Sequence, residues 1–371
     1  MLTNAHRRDL LIALNAEPTL QRASVCALAL RLDAWVDRSA SAAVLAAELA
    51  VPGNQMKHAL AVVPAARRVA RRETERAVAL GVQLLTFLDD GYPRILRDLT
   101  LPPPVLYVRG VLPQGPAIAI VGSRQADPYG REAAEWFARE LAAAGLTVVS
   151  GFARGVDLAA HHGALAADGA TVAVLGCGVD VDYPQGRTTL KQQIVRRGGI
   201  VSELPLGAPP LAHNFPVRNR IIAALAAGTL VVQAVARSGS LITARLALEL
   251  GRDVYAVPGP IFHQRALGPN ALIRDGAIPA LHPQDILDSL PTALRQQLPP
   301  ATATPEDEAQ AAPAGPAGQL LRHLRPGDPR TPERLAAATN LPIEEVLTLL
   351  LELELDNRIR RHPGPSFSRK A

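Results

Sequence analysis

The period of the hydrophobic positions changes along the chain, and each change predicts a different kind of structure. From residue 1 to about 75, leucine, alanine and valine recur at helical spacing in Asp9–Leu14, Ser24–Trp35, Ser41–Leu49 and Gly53–Val62, separated by short polar or Pro/Gly breaks. This predicts a bundle of four or five short helices. Arg67, Arg68, Arg71, Arg72 and Arg76 continue at helical spacing with Glu73 and Glu75 interleaved, the pattern of a solvated helix face. Between Gly81 and Gly110 two short strands flank a proline-studded turn and deliver the chain to the next region.

From Ala117 the pattern alternates. Ile118–Val121, Thr147–Ser150, Thr171–Leu175, Ile200–Ser202, Thr229–Ala234 and the run ending at Gly259 are short, apolar and rich in β-branched residues. Helical segments separate them: Gly130–Ala144, Asp157–Ala167, a helix through Lys191 and Arg197, one from Phe215, and Leu241–Leu250. Six such strands are joined sensibly only by right-handed crossovers, so the expected fold class is α/β, a doubly wound Rossmann-like parallel sheet. After Leu298 the pattern stops. Residues 299–318 hold too little bulky apolar content to pack and read as a flexible linker. Order returns over residues 319–371 as three helices and a hairpin, a winged-helix layout, with Thr331-Pro332-Glu333 as a helix start. Domains are therefore expected at 1–75, 76–298 (with a bridging segment 76–116) and 319–371.

A chain of 371 residues is long enough for two or three domains of about 100–200 residues. Its 39 Lys+Arg against 34 Asp+Glu give a net charge of +5, and nearly all the cations are arginine. That balance is compatible with a polyanionic partner without demanding one. Cys26 and Cys177 stand far apart without metal-ligand spacing and read as reduced core residues. With no signal-like start and no apolar run near the ~20 residues that cross a membrane, a cytoplasmic protein is expected.

In an open α/β sheet ligands sit beyond the carboxyl ends of the strands. Those ends are chemically consistent here: Gly122-Ser123-Arg124, Ser150 to Gly155 with Arg154, Gly176-Cys177-Gly178, and Ser238-Gly239-Ser240 at a helix start. Small residues with free backbone N–H groups, next to arginines, form phosphate sites. Arg218-Asn219-Arg220 adds two guanidiniums and an amide. No G-x-G-x-x-G follows the first strand and no Walker A sequence occurs, so neither NAD nor ATP is implied, and no cofactor is expected. His161-His162, Asp157, Glu203, Asp180 and Asp182 do not assemble into a reaction centre, and packing or loop-shaping roles suit them better.

Seven segments carry a resemblance. GSR at 122–124, SGFARGVD at 150–157, AVLGCGVDVDYP at 173–184, SELPLG at 202–207, FPVRNRII at 215–222, SGSLITA at 238–244 and AVPG at 256–259 resemble, in order, the motifs of the DprA (DNA-processing protein A, Smf) family. The resemblance implies a single-stranded DNA-binding protein that protects DNA entering by natural transformation and loads the RecA recombinase onto it. It implies a homodimer formed through the Rossmann-like domain, an N-terminal SAM-like helical domain, and no enzymatic activity. Carried over residue by residue, the DNA site comprises Gly122, Ser123, Arg124, Ser150, Gly151, Arg154, His213, Asn214, Phe215, Arg218, Asn219, Arg220, Ser238, Gly239, Ser240 and Thr243. Arg187 and Gln233 depart from the family's usual Asn and Glu. The alternative is a nucleoside monophosphate phosphoribohydrolase-like enzyme of the related Rossmann-like group. That group carries a PGGxGT-type loop followed by a catalytic Glu, whereas here the turn is SGSLIT and no Glu follows before Glu249. In the tail, Glu344, Glu345, Glu352 and Glu354 on the helix Pro342–Leu355 point to protein contact or regulation rather than to duplex binding.

Overall fold

A computed structural model describes residues 2–299, 315–325, 329–356, 358–362 and 364–369. Two units divide the chain, Met1–Leu298 and Pro299–Ala371. Most of the expected linker, residues 300–314, lies outside the described residues.

The strands of the first unit are β1 (Gln83–Thr86), β2 (Val105–Gly110), β3 (Ala117–Val121), β4 (Thr147–Ser150), β5 (Thr171–Val174), β6 (Gly199–Ser202), β7 (Gly228–Val231), β8 (Asp253–Ala256) and β9 (Ile278–Pro279). They form one sheet in the order β1-β2-β6-β5-β4-β3-β7-β8-β9. From β3 to β9 neighbours pair in parallel, while β2 adds antiparallel to β6 and β1 to β2. The six expected strands are present. The bridge runs extend the same sheet, and β9 is too short to show a period.

Side chains alternate across this sheet as the pleat requires. Ile118 and Ile120 of β3 face one core with Val148, Phe137 and Leu141, whereas Ala119 and Val121 face another with Ile221, Ile222, Ala244 and Ala247. The first core is covered by α8 (Pro128–Ala143) and α9 (Val156–Ala166), the second by α11 (Asn214–Leu225) and α12 (Gly239–Glu249), with α7 (Arg94–Arg97) beside α11 and α10 (Thr188–Arg197) over β6. Asp127 caps α8 through Gly130 N (2.8 Å), and Gln233 holds Asp127 from the end of β7 by donating to Oδ1 (3.0 Å).

The N-terminal region is helical: α1 (Asn4–Ala16), α2 (Arg22–Ala29), α3 (Leu32–Trp35), α4 (Ala42–Leu49), α5 (Gly53–Val62) and α6 (Ala66–Ala79). The run Ser24–Trp35 is divided between α2 and α3. Leu10, Leu14, Trp35, Leu45 and Met56 form one continuous core with Tyr107 of β2 and Ile200 of β6. The helices therefore complete the sheet's own core. On α6 the arginines are exposed as expected, but Glu73 is buried, where Oε1 accepts from Leu206 N at 3.1 Å. Its carboxylate serves the loop after β6 rather than water.

A polar network fixes the helices to that loop. Arg220 on α11 grips Glu203 with two N–H groups at 2.6 Å each, and its Nε donates to Leu101 O at 3.1 Å. Asn15 of α1 donates to Glu203 O at 2.9 Å, and Arg22 of α2 donates to Asn15 Oδ1 at 2.8 Å.

In the second unit the helices Pro316–His323, Pro332–Thr339 and Ile343–Leu355 are followed by the antiparallel hairpin Ile359–His362 with Ser366–Arg369. Leu320, Leu335, Val346, Leu350 and Phe367 form its core. This is the expected winged helix.

Arg220 and Glu203 side chains are 13% and 3% exposed, so removing either leaves a buried charge without its partner. Glu203→Ala should lower unfolding free energy by about 3–5 kcal/mol. Urea denaturation checks this, and a loss under about 1 kcal/mol would reduce the pair to a surface bridge.

Candidate functional site

The sheet order reverses between β3 and β7. The chain leaving β3 turns to α8 on one face, and the chain leaving β7 turns to α12 on the other. Diverging connections open a crevice at such a point. Here it is a cleft of about 470 Å³, which brings together Gly122, Ser123, Arg124, Phe215, Arg218, Asn219, Ser238, Gly239, Ser240 and Thr243 of the expected residues.

Arg124 is aimed by its neighbours. Ser123 N donates to Gln233 O at 2.7 Å, and Ser123 O accepts from Val156 N at 3.2 Å, so the turn is tied to both flanking connections. Gly155, at φ +81°, comes so close that a Cβ would lie 2.2 Å from Ser123 O. The Arg124 side chain is exposed and makes no ion pair among the described residues. Its guanidinium sits 4.9 Å from the Phe215 ring centroid, and Phe215 lies 5.6 Å from the Tyr183 ring.

The floor is a buried cation. Arg218 is 4% exposed, and its Nη1 donates to Gly151 O at 2.8 Å and to Val174 O. The carbonyls of Gly151, just past β4, and of Val174, the last residue of β5, are bonded in this way. Gly151 separates Arg218 from Asp157; a Cβ there would lie 2.7 Å from both Arg218 Nη2 and Asp157 Oδ2. Burial lowers Arg218 to about 10 against the pull of Asp157. Burial also raises Asp157 to about 6, opposed by Arg218, by the Ala153 N–H and by Arg124. Beside them Asn219 donates to Gly239 O at 3.3 Å, and Ser238 caps α12 by accepting from Ser240 N at 3.4 Å. A Cβ on Gly239 would meet nothing within 4 Å, so the start of α12 is open to an approaching group.

The other expected residues lie elsewhere. Ser150 is fully buried and donates to Ile120 O at 2.6 Å. Arg154 lines a second groove of about 520 Å³ with Arg124, Arg131, Arg187 and His162, and no carboxylate is among its lining residues. His213, Asn214 and Arg220 border a separate cleft of about 1030 Å³ against α2 and the loop after β6. Sequence reasoning did not name Arg131, Arg265 or the ring of Tyr183 for the site, and it noted Arg187 only as a departure. The three arginines belong to none of the seven motifs, Tyr183 stands near the end of one, and the four meet only in space. His161 is buried, with Nδ1 2.7 Å from Thr171 Oγ1 and burial lowering it to about 3, so it packs as a neutral ring. Cys26 and Cys177 are free and buried.

The family model described as DNA recombination-mediator protein A matches residues 83–291, and one described as the DprA winged helix domain matches residues 283–365. The chain is 44% identical to Protein Smf of Escherichia coli K12 over 281 residues, covering 74% of each chain. It is 42% identical over 204 residues to DNA processing protein DprA of Streptococcus pneumoniae, covering 54% of this chain and 72% of that protein. The X-ray structure of DprA from S. pneumoniae matches with a TM-score of 0.66 and 32% identity, over 78% of this chain and 99% of that one. A structure of the Helicobacter pylori protein, described for its single-stranded DNA binding mode, matches with a TM-score of 0.51 and 30% identity, over 58% and 97%.

Two outcomes follow for the buried floor. Arg218→Ala removes the donor to Gly151 O and Val174 O and the cation that opposes the raising of Asp157, and should cost about 1–3 kcal/mol in denaturant unfolding. Asp157, raised from 3.8 to about 6, binds more protons folded than unfolded between those values. Its contribution to stability therefore falls as pH rises through roughly pH 4–6 and stays a constant cost above. Asp157→Asn should flatten that part of the stability–pH curve, and an unchanged slope would show that the carboxyl does not titrate there.

Proposed function

The chain belongs to the DNA recombination-mediator protein A (DprA/Smf) family, and from that membership we propose that it binds single-stranded DNA along the carboxyl edge of its sheet. In this reading it protects strands taken up in transformation and loads the RecA recombinase onto them, in the cytoplasm and without catalysing a reaction. The observation that carries the reading is Arg124: exposed, without an ion pair among the described residues, stacked on Phe215, and shared by two arginine-lined clefts.

Each group has a role in the proposal. Arg124, Arg154, Arg131 and Arg187 contact successive phosphates. The Phe215 and Tyr183 rings offer an apolar face to a base, and the open start of α12 at Ser238–Ser240 receives a phosphate. Arg218 lends charge from below while holding the strand ends. Such contacts follow the backbone of the strand and tolerate any base sequence. A homodimer formed through the Rossmann-like domain sets two such edges on one strand and raises the effective affinity.

Arg124→Ala removes a charge-assisted contact of about 1.5–3 kcal/mol, so oligonucleotide affinity should fall roughly tenfold or more with the melting temperature unchanged. Fluorescence anisotropy reads this, and wild-type affinity should also fall steeply with salt as counterions are released. Equal binding at low and high salt, or by the variant, rejects the phosphate site. Release of base from nucleoside monophosphates would reject the non-enzymatic reading.

Deleting residues 300–371 keeps every residue assigned to the strand. The truncated chain should remain dimeric in light scattering and bind single strands like the full chain. A dimeric core that fails to bind would move the DNA site to the winged helix.

A further inference from the structure

The helix Ile343–Leu355 has two apolar faces. Val346, Leu350 and Leu353 are buried in the core of the second unit. Ile343, Leu347, Leu351 and Leu355 recur at every fourth position and are 40%, 50%, 58% and 78% exposed. At about 100° per residue, such a row shifts slowly around the helix and forms a continuous ridge. Single exposed leucines are ordinary on a protein surface, but four in register on one helix mark an interaction site.

Charge decides what fits the ridge. Glu344 and Glu354 fall within its arc, Glu345 and Glu352 beside it, and none of the four makes an ion pair among the described residues. A surface of leucines and uncompensated carboxylates repels phosphate, so this helix does not read duplex DNA. An antiparallel second copy would set Ile343 against Leu355 and Leu347 against Leu351, yet it would crowd the carboxylates of both copies together, and like charges across an interface oppose association. We propose that the ridge docks a basic amphipathic helix of another protein, with apolar residues at every third or fourth position and Lys or Arg beside them. Leucine contacts supply the affinity and the carboxylates select the charge.

The test uses the full chain and a labelled synthetic helical peptide of about 14 residues, long enough at ~1.5 Å per residue to run along the ridge. The peptide carries leucine at every fourth position flanked by lysines, and a second peptide replaces each lysine with glutamate. The lysine peptide should bind the wild-type chain, and the glutamate peptide should not. The double variant Leu347→Ser/Leu351→Ser should weaken binding at least ~tenfold, because apolar anchors dominate such interfaces. Independently, Glu344→Gln/Glu352→Gln should weaken it several-fold and reduce its salt dependence. Failure of the lysine peptide to bind, equal binding of both peptides, or unchanged binding by both variants overturns the proposal. A drop in particle mass for the leucine variant in light scattering also overturns it, in favour of a second copy. Weakened duplex binding by the leucine variant would overturn it in favour of DNA.

Discussion

Three consecutive side chains in the middle of α11 hold the carboxyl edge of the sheet, and the site depends on what they satisfy. Buried carbonyl groups at strand ends need a hydrogen-bond donor. Arg218 answers two of them, at the ends of β4 and β5. Asn219 reaches Gly239 at the start of α12, and Arg220 closes on Glu203 after β6 and on Leu101 O. Five segments from separate parts of the chain are thus tied to one helix.

That arrangement divides the arginines by task. Arg218 is buried and Arg220 mostly so, and both are occupied with carbonyls or a carboxylate. Arg124 is exposed and stacked on Phe215, and Arg154 and Arg187 are exposed around the adjoining groove. This inner pair preorganises the edge, and the outer arginines meet an anion without first breaking an internal salt bridge. Asp157 lies beneath Arg124 and Arg218, held by the Ala153 N–H, so the single carboxylate among the residues lining the first cleft tempers its positive charge from below.

Burial also explains why the parts differ in independence. The N-terminal helices share one apolar core with β2, β5 and β6, and the Arg22–Asn15–Glu203–Arg220 network joins them to the edge that forms the cleft. They are structurally part of the sheet domain. The second unit has its own core around Leu320, Val346 and Phe367, and its exposed chemistry is opposite in kind, leucine and glutamate in place of arginine and glycine. Two surfaces of such different chemistry on one chain suit two different partners.

The alternation of strands and helices is legible in the chain, because the short, largely apolar runs of β3 to β8, buried on both faces, and the helical spacing between them are local properties. So are the short polar turns at the strand ends, since Gly122-Ser123-Arg124 and Ser238-Gly239-Ser240 interrupt apolar runs whatever surrounds them. Which charged residues are free depends on how the elements pack. Arg218 and Arg220 look equivalent in sequence, but residues two apart on a helix point about 200° away from each other, one toward the cleft floor and one toward Glu203. Glu73 reads as a solvated charge among arginines until α6 presses it against Leu206 N. Arg131 and Arg187 join Arg124 and Arg154 only because β3, β4 and β5 end side by side, and a groove made from separate loops leaves no spacing in the chain to read.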